Sequence, residues 1–113
     1  MSDSCLFCRI VRGEIPARIV REDDHTVAFR DIDPKAPTHI LVIPRVHVAS
    51  LGEARDAELV GRVMLAAAEI AESEGLTEGG YRMVVNTGAD AGQTVHHLHV
   101  HLLGGRKLHW PPG

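Results

Sequence analysis

An α+β chain built on an antiparallel sheet is predicted by three stretches of the sequence. Thr38–Pro44, THILVIP, is β-branched and almost wholly apolar, the pattern of a central strand. Leu59, Val63, Ala67 and Ile70 recur at helical spacing, joined by Val60, Met64 and Ala71. In His97–Leu103, imidazole alternates with aliphatic side chains. On a strand that puts His97, His99 and His101 on one face and Leu98, Val100 and Leu102 on the other. Successive imidazoles would stand roughly 6.5 to 7 Å apart at ~3.3 Å per residue.

The elements follow in order. Cys5, Leu6, Ile10 and Val11 fit a brief helix stopped by Gly13 and then Pro16. Ile19 and Val20 begin an extended segment, and Glu22–His25 is a polar turn, with His25 exposed in it. Thr26–Ile32, TVAFRDI, alternates as a strand with one buried face. Asp33–Pro37 carries two prolines and is a loop. Ser50-x-x-Glu53 reads as the capping box of the long helix, which runs to about Glu74 and is closed by Gly75. Gly61 within it costs roughly 1 kcal/mol of helix propensity, tolerable if a strand packs closely there. Tyr81–Asn86 is a third strong strand, and Thr87–Gly92 is a loop of small residues leading into the histidine strand.

The 113 residues suit a single domain, and an ordinary hydrophobic content of 44 % supplies a core without staples. A formal charge of -3 and few aromatic residues predict no nucleic-acid partner. No apolar run reaches the ~18 residues of a membrane span, and no export signal is visible, so a cytoplasmic protein is expected.

Two groups of residues can carry chemistry. The first is the histidine row. It reads as a solvated strand face, as a metal site made from the row alone, or as phosphate chemistry. The row alone splays its rings too widely to converge on one ion. Gly88, Gly92 and Thr94 run directly into it, and glycine-rich backbone followed by a hydroxyl can wrap anionic oxygens. This favours phosphate held beside a nucleophile. The second is Cys5-x-x-Cys8, which reads as free thiols, as a redox pair or as half of a metal site.

The sequence around these groups resembles the histidine triad superfamily, in the branch of histidine triad nucleotide-binding proteins. His97-Leu98-His99-Val100-His101-Leu102-Leu103 matches its signature. The similarity runs from Phe7 to Gly113, through EIPARIV, FRDIDPKAPTHILVIP, GYRMVVNTG, GQTVHHLHVHLLGGR and the ending HWPPG.

The resemblance implies a five-stranded antiparallel sheet with one long and one short N-terminal helix, two protomers joining into a ten-stranded sheet. It implies a hydrolase that cleaves the P–N bond of purine nucleoside 5′-phosphoramidates, such as adenosine 5′-monophosphoramidate, and with them possible acyl-adenylates. His99 is then the nucleophile that forms a covalent nucleotidyl-histidine, its Nδ1 held by the carbonyl of residue 97. His101 and the backbone from Gly92 to Thr94 hold the non-bridging oxygens. Thr94, where relatives usually have serine, contacts the leaving group, Asn86 binds phosphate, and His39 relays protons. Asp31 accepts from the ribose hydroxyls, with Phe7, Ile10, Ile15, Phe29 and Ile32 around the base. Phe29 and Asp31, two apart on one strand, share a face. Trp110 belongs to a tail that reaches the partner's site in the homodimer. Cys5, Cys8, His47 and His97 bind a structural zinc, as in cysteine-containing relatives. His96, where an aromatic residue is usual, faces away from the triad.

Most of these residues have a plainer reading. Asp31 and Asn86 are also good turn formers, His39 a core histidine, and Phe29 and Ile32 core apolar residues. Two other functions fit the same chain: a nucleotide-binding adapter with incidental hydrolysis, and a dinucleoside polyphosphate hydrolase.

Overall fold

A computed structural model of the chain describes residues 4–113. Helix α1 (Leu6–Val11) precedes strands β1 (Ile19–Glu22), β2 (Thr26–Arg30) and β3 (Thr38–Pro44). A 3-10 turn at Leu51–Glu53 leads to helix α2 (Ala57–Ser73), then to β4 (Tyr81–Val84) and β5 (Val100–Gly104). The five strands form one antiparallel sheet in the order β1-β2-β3-β5-β4. The expected fold is therefore present.

Strand alternation gives the sheet two different faces. Ala28, Ile40, Val42, Val100 and Leu102 point one way and pack on Val63, Ala66, Ala67, Ile70 and Ala71 of α2. Each fully buried Val or Ile there contributes roughly 1.5–3 kcal/mol. Val27, Phe29, Leu41 and Ile43 point the other way and are covered by Phe7 of α1. The second cover is why β2 is buried on both faces, where one was expected. The remainder of this second face, beyond Phe7, carries the histidines.

Several boundaries differ from the sequence reading. Asp56, not Ser50, caps α2: its side chain accepts from the N–H groups of Glu58 (3.0 Å) and Leu59 (3.3 Å). Ser50 precedes only the 3-10 turn and makes no cap bond. No strand packs against Gly61, since a Cβ built there meets nothing within 4 Å. β2 stops at Arg30 because Asp31 turns the chain, its Oδ1 accepting from the Asp33 N–H at 2.8 Å. β4 ends at Val84, two residues short of Asn86. The histidine strand starts only at Val100, so of the three histidines His101 alone lies within it.

The cap assignment is testable by urea unfolding. Asp56→Ala should lower stability by about 1 kcal/mol. Glu53→Ala, which removes the acid of the expected box, should change it by less than about 0.5 kcal/mol.

Candidate active site and metal centre

The uncovered part of the second face is built by β3 and β5. Leu41 pairs with His101 and His39 with Leu103, so His39 and His101 are diagonal neighbours. Their rings meet: His39 Nε2 lies 2.9 Å from His101 Nδ1. The backbone N–H of Lys35 donates to His39 Nδ1 at 3.0 Å. A nitrogen that accepts carries no proton, so neutral His39 holds its proton on Nε2 and donates it to His101 Nδ1. His101 then keeps its own proton on Nε2. Asp31 Oδ2 stands 3.4 Å from the same His39 Nε2. Asp31, Lys35, His39, Asn86 and His101 line one groove of about 290 Å³ with Val84 and Leu103.

His97 and His99 sit in the approach to β5, where the chain is not yet paired. His99 Nδ1 lies 2.7 Å from the carbonyl oxygen of His97. Only a donor suits that contact, so Nδ1 bears the proton and Nε2 is left with a free lone pair. The rings of His99 and His101 are 5.0 Å apart between centroids, closer than even strand spacing predicts. Phe7 lies edge-on to His99 at 5.2 Å.

Burial disfavours the charged form of His39, His97 and His101. His101 is pushed down to about 4, first by desolvation and then by the neighbouring His99 and His39 rings. Burial likewise lowers His39, against the opposing pull of Asp31. It lowers His97 too, although the hydrogen bond to Pro44 works the other way.

Cys5, Cys8, His47 and His97 come together from α1, the end of β3 and the approach to β5, with donor atoms all within 4.8 Å of one another. His97 is wholly buried, and its Nε2 donates to the Pro44 carbonyl at 2.9 Å. That turns an unprotonated Nδ1 toward the cluster, the role an outer hydrogen bond plays for a metal-bound histidine. The separations also suit a metal. Tetrahedral zinc with ordinary bond lengths needs about 3.3 Å between nitrogens and about 3.6 Å between nitrogen and sulfur. Here His47 Nδ1 and His97 Nδ1 are 3.3 Å apart, and the sulfur–nitrogen contacts run from 3.2 to 3.5 Å. These four residues can therefore hold a metal ion. Burial raises the Cys8 thiol above its ordinary range, with the Cys5 side chain adding to the effect.

Asp31, His39 and His101 have metal-ligand spacing as well. Their protons argue against an ion. A metal on His39 Nε2 would move the imidazole proton to Nδ1, where it would face the Lys35 N–H. This triangle is a hydrogen-bond chain.

The other expected residues are dispersed. Phe7 and Phe29 are buried against each other at 5.3 Å, and Ile10 packs beside them. Ile15 is half-buried, while Ile32 is 99 % and Trp110 80 % exposed in the single chain. Thr94 and His96 open onto a separate cleft of about 540 Å³ shared with Cys5, Leu6 and His47. The N–H groups of Gly92 and Gln93 already bond to the carbonyls of Ala89 and Gly88. His25 is exposed, as expected of a turn residue.

Three contributors escaped the sequence reading. Gln93 is buried and pins the loop: Oε1 accepts from Gly88 N–H at 2.9 Å, and Nε2 donates to the carbonyls of Ala49 (2.8 Å) and Val95 (3.2 Å). An amide between two small residues was its only signal. The Lys35 N–H fixes His39 through backbone, which no side-chain pattern reveals. Arg82 reaches the tail, donating to the His109 carbonyl at 3.0 Å and lying 5.8 Å from the Trp110 ring centre.

Fold and site together define a histidine triad protein. The HIT domain family matches residues 12–108, and the chain belongs to it. It is 57 % identical to an uncharacterised HIT-like protein of Synechococcus elongatus, over the full length of both chains. It is 48 % identical to the purine nucleoside phosphoramidase of Escherichia coli K12, over 96 % of this chain and 92 % of that one. A HIT family hydrolase from Legionella pneumophila superposes with a TM-score of 0.95 at 51 % identity, over 97 % of this chain and 100 % of that one.

The low value of His101 sets a pH dependence. Unfolded, its imidazole binds a proton near the usual 6.5; folded, it does so only at about 4. Between those values the unfolded chain holds more protons, so stability should fall as pH drops from 6.5 toward 4 and then level off. Chemical denaturation across that range should show a flatter profile for His101→Gln.

Proposed function

We propose that the chain, acting as a single HIT domain over residues 1–113, is a hydrolase of purine nucleoside 5′-phosphoramidates. The observation that carries the reading is the 2.7 Å bond from His99 Nδ1 to the His97 carbonyl, which leaves Nε2 unprotonated beside the His39–His101 pair. The 48 % identity to a purine nucleoside phosphoramidase supports it.

In this reading His99 Nε2 attacks the phosphorus. The P–N bond breaks, its electron pair takes up a proton from solvent so that the nitrogen leaves as neutral amine, and the nucleotide stays on the histidine. Water then attacks the phosphorus and releases nucleoside monophosphate, returning His99 to its starting form. Neutral His101 offers Nε2–H to a non-bridging oxygen, with His39 behind it as donor. Asp31 takes the ribose, Asn86 the phosphate, and Phe7, Ile10, Ile15, Phe29 and Ile32 the base. The backbone from Gly92 to Thr94 would join His101 on the non-bridging oxygens once its N–H groups are freed, and the Thr94 hydroxyl would contact the leaving group.

Zinc is the metal best matched by two thiols and two imidazoles in a closed set. It would tie α1 to the sheet and leave His99 and His101 for chemistry. β4 is one of the two edge strands of the sheet, and a second copy paired there would give the ten-stranded sheet.

Two measurements test the reading. Radiolabelled phosphoramidate should leave nucleotide on the protein, and His99→Ala should abolish both trapping and turnover; full turnover in that variant sinks the mechanism. Metal analysis of protein purified without chelator should give close to one zinc per chain, lost in a Cys5→Ser, Cys8→Ser double variant.

A further inference from the structure

The metal cluster and the proposed nucleophile share a residue. His97 turns its side chain to Cys5, Cys8 and His47, while its backbone carbonyl holds His99 Nδ1 at 2.7 Å. The next residue is pinned as well, Leu98 N–H donating to the Val48 carbonyl at 2.6 Å, one position after the ligand His47. A second connection runs through α1. Cys5 caps this helix, its sulfur accepting from the Cys8 N–H at 3.4 Å. Phe7, between the two cysteines, meets the rings of His97 at 6.0 Å and His99 at 5.2 Å. A helix of only six residues is not stable on its own, so its place depends on these tertiary anchors. The carbonyl behind His99 and the ring beside it thus both hang from the cluster.

We propose that the cluster is more than a staple: Cys5, Cys8 and Phe7 are positioning residues for His99, and filling the metal site fixes its tautomer and orientation. The inference rests on His99 being the nucleophile and on the cluster holding a metal. Loss of the ligand set leaves the His97 ring held by the Pro44 carbonyl alone, and its own carbonyl then has room to shift. His99 Nδ1–H then loses its acceptor, and the imidazole is free to exchange tautomers or turn. A nucleophile misplaced by an ångström costs on the order of a hundred-fold in rate. Loss of a group that orients another typically costs roughly 10–100-fold.

The test compares the purified protein, the same protein after chelation, and Cys8→Ser and Phe7→Leu variants. Two quantities are read: the hydrogen-bonded Nδ1–H and tautomer of His99 by ¹⁵N NMR, and kcat and KM separately. Expected on chelation is loss or broadening of the His99 N–H signal, a roughly 10–100-fold lower kcat, and little change in KM. Returning zinc should restore both. Cys8→Ser should behave as the chelated protein. Phe7→Leu keeps all four ligands, and should lower kcat and broaden the signal with metal content unchanged. A chelated protein that stays folded and keeps both signal and kcat overturns the proposal, while an inactive His99→Ala leaves the hydrolase reading standing. Turnover by His99→Ala overturns that reading instead, and protein that carries no metal overturns this one. If chelation unfolds the chain, Phe7→Leu decides: an unchanged signal and kcat there refute the coupling.

Discussion

An imidazole taken out of water is pushed toward its neutral form, and a neutral imidazole must be told which nitrogen keeps its proton. The histidine face of the sheet depends on this constraint. His39 receives its instruction from the Lys35 N–H, His97 from the Pro44 carbonyl, and His99 from the carbonyl of His97. His101 receives it second-hand from His39. Three of the four instructions come from backbone, which cannot titrate. The same ring type therefore presents an aimed lone pair at His97 and at His99, and a donor at His101.

This division could be read only partly from the sequence. The alternation of His97–Leu103 located the face, alternation in Thr26–Ile32 located β2 and a β-branched run located β3, because such patterns report a local period. Cys5-x-x-Cys8 marked half of the metal set. What was hidden is long-range. Asp56 displaced Ser50 as the cap because a 3-10 turn intervenes, and two acidic or hydroxyl candidates six residues apart look alike in one dimension. β5 begins late because the approach to it is held by Val48 and Pro44 rather than by a paired strand. The grouping of Asp31 with His39 and His101 depends on a turn that carries Asp31 off the end of β2, although strand alternation had placed it beside Phe29.

The two covers of the sheet have unequal standing. Helix α2 lays a continuous apolar seam along Ala28, Ile40, Val42, Val100 and Leu102, and that half of the molecule is a conventional core. Helix α1 is short, and contributes Phe7, with Ile10 and Val11 at its margin, and one sulfur-rich corner. The second side, where the imidazoles stand, carries the smaller apolar cluster. Membership of the HIT family fits this arrangement, since the signature lies on the thinly covered face.

The bond from Lys35 to His39 has one more consequence. The row of imidazoles is a cul-de-sac for protons. His39 Nδ1 already accepts from the Lys35 N–H and takes up no proton while that bond stands. Exchange with solvent has to pass through the open side of the groove, past His101 and Asp31. An occupant of that groove would lie between the His39–His101 pair and solvent. The same opening would then serve the occupant and the protons of that pair.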